Sequence, residues 1–595
     1  MTEERREGLP EPEKERIRKE LKWAYDFDPK DPLFGLSKAD LRGPKMSRRT
    51  VLRLLAAAGI LSMGHLLPKP MGRIAYGQVG GELTAGWAGT GEIRTLDPAQ
   101  INQVLQFQIA SNVLSGLTHI NADLIAEGDL AVDWTVSDDG TEWTFFLREG
   151  VRFHNGDPFT ADDVIFTFNR SKDPNQSIHS RVLAQVESVE KVDDYTVKFK
   201  LSAPQASFLV KTTERASGRA LTIVNKRALE EMGPEQYGLT PVGTGPFRVV
   251  FHQLGQGVVL ERFEDYFDPE RPKLDKVTII PIPEPEPLAA AIEAGDIQLI
   301  GGNPVAPELV DRFLANPELV VDIQPGPGFQ ALWINPHREP FPVPDFNKPV
   351  EELKKERGFM VRLAIAKAID REDLIRRALF GRGVPAFGTI NPAMRFFFDT
   401  AINETSEQRF DAEEARRLLA EAGFPNGEGF PTLTLKTTPA GRREAEILVN
   451  ILKKNLNIDV EIEIRDFPVL IDEFDTMDFD LLRIGSGGDY DPDDGLVDWM
   501  QTTSKFNGPN RPSELPFGYF SEREVDDLID RQRVETDLNE RKALVQRANR
   551  ITSDKVAAAF LFHPVDVLVY RKEVNYPPES RIPGLVDLDR VTLSP

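Results

Sequence analysis

Cysteine is absent from this chain of 595 residues. Its absence excludes disulfides, thiolate metal sites, a cysteine nucleophile and the lipid-modified cysteine of a bacterial lipoprotein. Histidine is scarce, with seven residues and no His-x-x-x-His or His-Glu-x-x-His spacing, so no catalytic zinc site is predicted. Positively charged side chains are also fewer than negatively charged ones, with 72 Lys and Arg against 95 Asp and Glu. The formal net charge of -23 argues against a nucleic-acid partner, because phosphate neutralisation needs clustered Lys and Arg.

The remaining composition is that of a large folded protein. Hydrophobic residues make up 40% of the chain and charged residues 28%, which is ordinary for a globular protein. At roughly 150 residues per domain, the length predicts about three or four compact units. The acidic balance favours a neutral or cationic ligand.

A hydrophobic run near the N-terminus is too short to span a membrane. The apolar stretch 54–67 falls below the roughly 20 residues that a span needs. It follows Arg48 and Arg49, and paired arginines before a short apolar run are typical of a bacterial twin-arginine export signal. We predict this signal region at 47–78, with cleavage near Ala75. An amphipathic surface helix is the alternative.

An N-terminal extension, residues 1–46, precedes the signal region. Its charges are mixed and nearly balanced. Either the extension is a long leading part of the signal, or Met46 is the true start of the protein. N-terminal sequencing of the exported protein separates the two.

Two β-hairpins and a helix are predicted in the first half of the chain. Alternating apolar residues flank the turn Asp138-Asp139-Gly140 and, further on, the turn Asp193-Asp194. This alternation around tight turns is typical of hairpins. Between them, Thr160 followed by Asp163 has the spacing of a capping box at a helix start. We therefore predict a small α+β unit over 119–239.

Strands and helices alternate in the second half. A strand, helix and strand are predicted over 274–300. Further on, the alternation continues through 432–437, 442–456, 458–464, 467–475 and 478–484. Such alternation predicts a mainly parallel sheet with a crevice at the carboxyl ends of its strands.

The last strand of that series leads into a glycine-rich, acidic loop, Gly485-Ser486-Gly487-Gly488-Asp489. Glycines let the backbone approach a bound molecule closely, and the carboxyl end of such a strand is a typical ligand position. The alternative is a surface turn with solvated aspartates. Ile484 occupies the place of the first glycine in G-x-S-x-G, so the loop is not predicted to be a nucleophile elbow.

Five segments of the chain together resemble one protein family. They lie within roughly 83–570 and are Trp134–Gly140, Leu147–Gly156, Thr160–Val164, Pro241–Phe247 and Val361–Arg371. They are similar to the signature of the extracytoplasmic solute-binding proteins of the peptide/nickel-type (dipeptide/oligopeptide-binding) ABC transporter family. In the fourth segment Gly243 and Gly245 are interpreted as structural, because they permit a tight entry into a strand.

The resemblance implies an α/β protein with the two-lobed periplasmic-binding-protein fold, of type II and the large three-subdomain cluster, with a hinge and an interlobe ligand crevice. Lobe I is expected in the parts 79–118, 119–239 and 240–328, lobe II over 329–550, and a return to lobe I over 551–595. The strand 329–335 is expected to cross between the lobes. A proline-rich insertion at 336–357 departs from the family pattern, and a surface loop is the default expectation for it.

The resemblance also implies ligand-binding residues. In peptide-binding relatives an aspartate at the position of Asp489 pairs with the amino terminus of the ligand, and Arg483 resembles an arginine used towards a ligand carboxylate. Ser486 replaces the tryptophan of those relatives, which predicts a wider or wetter pocket with Trp333 or Tyr490 supplying aromatic contact. For Trp333, core packing is the alternative. The predicted ligand-binding set is Arg483, Gly485, Ser486, Gly487, Asp489, Tyr490 and Trp333.

The predicted function is that of a periplasmic or otherwise extracytoplasmic receptor. It is expected to be monomeric, to capture a small solute such as a peptide or amino-bearing oligomer, and to deliver it to the membrane permease of an ABC transporter. No catalytic residue, metal or cofactor is predicted. The alternatives are an exported carboxylate-based hydrolase and an extracytoplasmic sensor on the same scaffold.

Overall fold

The computed structural model describes residues 80–88, 93–101, 103–213, 222–302, 305–488, 490–504, 506–535 and 537–594. The predicted N-terminal extension, 1–46, and signal region, 47–78, lie outside these residues. Within them, no helix combines the length and the apolar character that crossing a membrane requires.

The described residues form 20 strands, and 12 of these belong to one mixed sheet. The strands are β1 (Glu82–Ala88), β2 (Thr118–Ile120), β3 (Ala126–Gly128), β4 (Ala131–Val136), β5 (Glu142–Leu147), β6 (Val186–Asp193), β7 (Thr196–Leu201), β8 (Phe247–Gln253), β9 (Gly257–Arg262), β10 (Lys276–Pro281), β11 (Leu299–Gly302), β12 (Leu319–Pro325), β13 (Phe329–Ile334), β14 (Gly383–Pro385), β15 (Leu433–Thr437), β16 (Val460–Ile464), β17 (Leu481–Ser486), β18 (Ala559–Arg571), β19 (Val574–Asn575) and β20 (Thr592–Leu593).

The α-helices connect these strands and cover the sheets. They are Val104–Ala110, Ala161–Lys172, Phe208–Lys211, Lys226–Met232, Pro234–Leu239, Pro285–Ala294, Pro307–Ala315, Val350–Leu353, Arg357–Ala368, Arg371–Ala378, Ile402–Thr405, Ala412–Glu421, Arg442–Leu456, Phe467–Asp475, Pro492–Trp499, Arg523–Val534 and Leu538–Asp554.

The long strand β18 joins two halves of the large sheet. The sheet order is β16-β15-β17-β13-β18-β11-β1-β10-β9-β8, with β12 and β14 also paired to β18. The first part of β18, up to Pro564, pairs with β13 and β14, whereas the part from Val565 onwards pairs with β12 and β11. The chain also passes from β12 to β13 beside this point of β18, and there Gly326 N donates to Pro564 O at 2.8 Å. Two crossings side by side are the arrangement that a hinge between lobes needs.

The hydrophobic core is divided in the same way. One cluster of buried residues contains β13, β15, β17 and the first half of β18. Two others contain β1, β10 and β11, and the helices that cover them. A fourth fills the small four-stranded sheet β4-β5-β7-β6. The two-lobed α/β fold that the resemblance implied is therefore present.

Both predicted hairpins are confirmed in that small sheet. Strands β4 and β5 pair around the first turn, and β6 and β7 pair around the second. Thr160 and Asp163 form the reciprocal capping box, and the helix Ala161–Lys172 starts there. Local turn and capping chemistry determined these elements, so the sequence was sufficient to predict them.

The glycines of the segment 241–247 are structural, as predicted. A Cβ atom on Gly243 would lie 2.2 Å from Val113 O, and one on Gly245 would lie 2.5 Å from Val113 C. His154 closes the same corner, because Gly243 N donates to its Nδ1 at 3.2 Å and its Nε2 lies 3.0 Å from Gly245 O. The second and fourth family-like segments therefore contact each other.

The predicted alternation of strands and helices in the second half of the chain is confirmed, and β17 has one strand pairing that was not predicted. Strand β15 is parallel to β16 and to β17, as a strand-helix-strand series requires. On its other side, β17 pairs antiparallel with β13. The strand that ends in the glycine loop therefore lies between a sequential neighbour and a strand from far earlier in the chain.

The expectation of a surface loop at 336–357 is wrong. Phe341, Val343, Phe346 and Leu353 in this segment are completely buried in the core cluster of β13 and β17. The guanidinium of Arg362, itself buried, lies 5.6 Å from the centre of the Phe346 ring. Apolar side chains between the prolines anchor the segment, a property that its proline content concealed.

Candidate functional site

Strand β17 presents alternate residues to opposite sides of the sheet. Arg483 lies opposite Leu332 of β13, and Gly485 lies opposite Gln330. Because successive side chains of a strand point to opposite faces, Arg483, Gly485 and Gln330 share one face. A Cβ atom on Gly485 would lie 1.9 Å from Phe329 O, so this glycine is required by the close approach of β13.

A cavity of about 200 Å³ lies on that face. Its walls come from both sides of the crossing level: the helix Pro307–Ala315 on one side, and β13, β17 and the helix Arg442–Leu456 on the other. Strand β18 contributes residues on both sides. Apolar side chains and four polar ones line it: Val305, Pro307, Val310, Gln330, Leu379, Arg382, Glu444, Arg483, Phe562, Pro564, Val565 and Val567.

Arg483 and Glu444 form an incomplete ion pair in this cavity. Arg483 Nη2 donates to Glu444 Oε1 at 3.4 Å, and the two side chains are only 13% and 11% exposed. Burial lowers the pKa of Arg483, and the Glu444 carboxylate opposes that shift. Among the described residues, Arg483 Nε and Glu444 Oε2 have no hydrogen-bond partner.

Two further polar side-chain atoms, on other residues that line the cavity, also have no hydrogen-bond partner among the described residues. Within the described residues, Gln330 Oε1 and Arg382 Nε are buried and accept or donate no hydrogen bond. The residues that line the cavity therefore contain two buried donors, on Arg483 and Arg382, and two buried acceptors, on Glu444 and Gln330, that have no partner among the described residues. Buried polar atoms normally have partners, so this set is suited to a polar ligand.

The structure does not bring Trp333 to this cavity. Trp333 lies opposite Leu482, on the other face of the sheet from Arg483. It is completely buried, stacks on Trp499 with ring centres 5.4 Å apart, and its Nε1 donates to Ile484 O at 3.0 Å. These contacts are those of a core residue, which the sequence had left as the alternative.

The other predicted loop residues lie at the end of β17, which Ser486 forms, or just beyond it. Ser486 is half-buried, and Gly487 is exposed, with nothing within 4 Å of the position that a Cβ would take. Tyr490 is buried, and its hydroxyl donates to Pro583 O at 3.1 Å. Tyr490 thus holds the loop against the C-terminal segment. Asp489 lies outside the described residues.

The aspartates that follow are not solvated. Asp491 is 5% exposed and binds Arg541 through two hydrogen bonds of 2.6 and 2.9 Å, and it also caps the helix Pro492–Trp499. Asp493 is 4% exposed and accepts from Ser207 Oγ at 2.5 Å. The alternative of a turn with solvated aspartates is therefore wrong for Asp491, and both residues fix the loop to its surroundings.

The sequence did not indicate a site role for Glu444, Gln330 or Arg382. Glu444 lies in the first turn of its helix, where an acid is favoured by the helix dipole without any other role. Gln330 and Arg382 had no local signal, because only the sheet register and the turn before β14 bring them to Arg483. Among the described residues, no group of three or more His, Asp or Glu side chains is arranged to hold a metal ion.

Comparison with known protein families identifies the family of this chain. The model of the bacterial extracellular solute-binding proteins, family 5 Middle, matches residues 126–508, more than half of the chain. The chain belongs to this family. The family 5 protein is 29% identical over 334 residues to the glutathione-binding protein GsiB of Escherichia coli (strain K12), a match that covers 56% of this chain and 60% of that protein. The chain thus spans less than two thirds of the length of this curated relative.

Solved structures agree on the fold of the family 5 protein. The periplasmic binding protein DppA from Helicobacter pylori, in complex with peptide STSA, is similar with a TM-score of 0.68 and 25% identity over 87% of this chain and 99% of that chain. The oligopeptide-binding protein AppA from Bacillus subtilis, in complex with a nonapeptide, has a TM-score of 0.67 and 22% identity over 87% of this chain and 100% of that chain. The two-lobed fold is confirmed by these likenesses.

Proposed function

We propose that the family 5 protein is an extracytoplasmic receptor that captures a small solute between its lobes and delivers it to the permease of an ABC transporter. The observation that carries this proposal is the cavity beside the lobe crossings, whose buried Arg483 and Glu444 retain unused hydrogen-bonding capacity. Enclosure of a charged ligand group there strengthens its interactions, because water is excluded. The activity is binding, with no bond made or broken.

The proposed ligand is a peptide or another amino-bearing solute. The names of three similar proteins support this class, since one is glutathione-binding and two were solved with bound peptides. At about 30 Å³ per water, a cavity of about 200 Å³ holds roughly six or seven waters, so it admits a small solute or one end of a larger one.

Export and assembly are part of the same proposal. The twin-arginine signal at 47–78 would carry the folded protein out of the cytoplasm, where it would act as a monomer with lobe parts bounded as the sequence predicts. Replacing Arg48 and Arg49 by lysine should retain the protein in the cytoplasm. Light scattering should give the mass of one chain, and a stable dimer would contradict the monomer.

A thermal-shift screen tests the receptor function. The purified protein is heated with peptides, glutathione, sugars and metal chelates, and a ligand at 100 times its Kd should stabilise the folded state by about 2.7 kcal/mol. Recovery of the bound solute intact supports a receptor. A screen in which no class raises the Tm, or in which the solute is recovered cleaved, contradicts the proposal.

A further inference from the structure

A contact between the lobes lies away from the strands that cross between them. One side of it is the segment just before the helix Phe208–Lys211. This segment belongs to the small α+β unit, because Phe208 is buried in the core of the four-stranded sheet. The buried ion pair of Arg170 and Asp97 fixes that unit to the segment after β1, so the contact segment lies in lobe I.

The other side of the contact is formed by two helices of lobe II. Ser207 Oγ donates to Asp493 Oδ2 at 2.5 Å. Ala206 N donates to Arg533 O, also at 2.5 Å. Asp493 and Arg533 lie in the helices that begin at Pro492 and Arg523, and both helices pack in the core of β13 and β17. We call these two hydrogen bonds, with the four residues that form them, the clasp.

Asp493 is a buried carboxylate in the clasp. It is 4% exposed, and Ser207 is 1% exposed. Burial raises the pKa of Asp493, but the charges of Arg541 and Arg533 outweigh it and hold the pKa below its usual value. Lys211, on the lobe I side, acts in the same direction. Asp493 is therefore charged, and a hydrogen bond to a charged acceptor is about twice as strong as one between neutral groups.

Asp493 is also linked to the end of the glycine loop. Its Oδ1 accepts from Gln532 Nε2, and Gln532 Oε1 accepts from Arg541 Nε at 3.1 Å. Arg541 in turn holds Asp491, which caps the helix after the loop and accepts from Asp493 N at 2.9 Å. These four side chains are at most 5% exposed. A continuous buried network therefore runs from Ser207 of lobe I to the start of the helix that follows the loop.

We infer that Asp493 is a positioning residue that joins closure of the lobes to placement of the glycine loop, and that the clasp holds much of the ligand-free protein in the closed form. Every hydrogen bond of the clasp and of the network is made between protein groups, so none needs a ligand. Opening of the lobes would break both clasp bonds and expose the end of the network to water. The inference rests on the proposed receptor function, to which it adds a source of closure that the ligand does not supply.

A distance measurement on the ligand-free protein tests this inference. The chain has no cysteine, so spin labels on Glu190→Cys and Asp527→Cys report a single distance, between exposed positions of the small sheet and of lobe II. Pulsed electron paramagnetic resonance should show the distance of the closed structure as the main population. A distribution that contains only longer distances would overturn the inference.

Substitutions of Ser207 should shift that population in a defined direction. Ser207→Ala removes one clasp bond and should lower the ratio of closed to open molecules by about fivefold. Ser207→Asp places a carboxylate against Asp493 and should lower the ratio by about a hundredfold or more, because like charges in contact repel. Ser202→Asp, the same change at an exposed position of the same unit, should leave the distances unchanged. Equal distances in all of these proteins would overturn the inference.

An exchange of the two side chains separates the clasp from a purely structural role. Asp493→Ser, combined with Ser207→Asp, reverses donor and acceptor across the lobes and should return most of the closed population. Backbone hydrogen exchange over 485–494 should rise with Ser207→Asp and fall again in the double variant, because the network reaches that segment. A double variant that stays as open as Ser207→Asp alone, or exchange that responds to neither change, would overturn the inference.

None of these measurements needs a ligand, so the inference and the proposed function can fail separately. If the Ser207 variants leave the distances unchanged while a solute raises the Tm, the receptor function stands and the clasp inference is wrong. If the variants open the lobes as expected and no solute of any class binds, the clasp stands and the receptor function is wrong.

Discussion

Arg382 donates from Nη2 to Asp311 Oδ1 at 2.7 Å, beside the level at which the chain crosses between lobes. Arg382 follows the helix Arg371–Ala378, which packs in the core of β13 and β17, whereas Asp311 lies in the helix Pro307–Ala315, which packs in a core with β11. The Arg382 side chain is 4% exposed and that of Asp311 is 47% exposed. The pair therefore ties the two lobes together at the rim of the cavity.

Replacing Asp311 by asparagine should weaken ligand binding by about fivefold, because we expect an ion pair between the lobes to favour the closed, ligand-bound form by about 1 kcal/mol. The Tm of the free protein should change little. Titration of the ligand found in the thermal-shift screen measures the effect. Asp373→Asn is the control, since Asp373 pairs with Arg376 and Arg377 within one helix. Equal losses in both variants would contradict a role in closure.

Gly485 and Gly487, at the end of β17, give a second prediction in which one variant is the control for the other. Gly485→Ala should destabilise the protein by about 1 to 3 kcal/mol, because its new Cβ would meet the carbonyl of Phe329 and force the strands apart. Gly487→Ala should stay within about 0.5 kcal/mol, because that position is open. Urea unfolding compares the two. A tolerated Gly485→Ala would mean that β13 and β17 can separate locally.

The sequence predicted β17 and its glycine end because strand periodicity and turn residues are local properties. It could not predict that Gln330 would face Arg483, since that depends on the register between β13 and β17, which are far apart in the chain. The same register places Trp333 on the opposite face. The burial of Phe341 and Phe346 was missed for a related reason: prolines mark an irregular backbone, but they do not show what the side chains between them contact.

Trp333 provides a test that separates core packing from ligand contact. Trp333→Phe removes the hydrogen bond to Ile484 O and should cost about 1 to 3 kcal/mol of stability, with ligand affinity unchanged. Trp143→Phe is a matched control, because Trp143 is also buried but its Nε1 has no partner among the described residues, so no hydrogen bond is lost. Reduced affinity at unchanged stability in Trp333→Phe would instead support the ligand role.

The role that the family resemblance implies for Asp489, partner of a ligand amino group, is a prediction that substitution can test. Asp489→Asn should weaken an amino-bearing ligand by about 2 to 5 kcal/mol if the charge pair is enclosed. Asp459→Asn, at an exposed pair with Lys453, should have no effect on affinity. Unchanged affinity in Asp489→Asn would show that this part of the loop is only structural.

Two histidines, the half-buried His154 and the buried His563, should make stability depend on pH below neutrality. His154 accepts from Gly243 N at Nδ1, and His563 donates from Nδ1 to Gly328 O at 2.9 Å next to the lobe crossing. Burial lowers the pKa of each from the usual 6.5 to about 4. The unfolded chain therefore takes up these protons first. The full contribution is present above pH 6.5 and is lost as the pH falls towards 4, by about 3 kcal/mol for each histidine at most.

Urea unfolding at several pH values between 7.5 and 4.5 measures this dependence, at ~0.5 unit intervals. His154→Gln and His563→Asn retain a hydrogen-bonding amide without a titrating ring, so each should flatten part of the profile, and the double variant should flatten it further. Their difference from the unmodified chain isolates the histidines, because the carboxylates that also titrate in this range are common to all four proteins. Profiles parallel to that of the unmodified chain would show that the two rings are protonated in the folded state as readily as in the unfolded one, and would contradict the prediction.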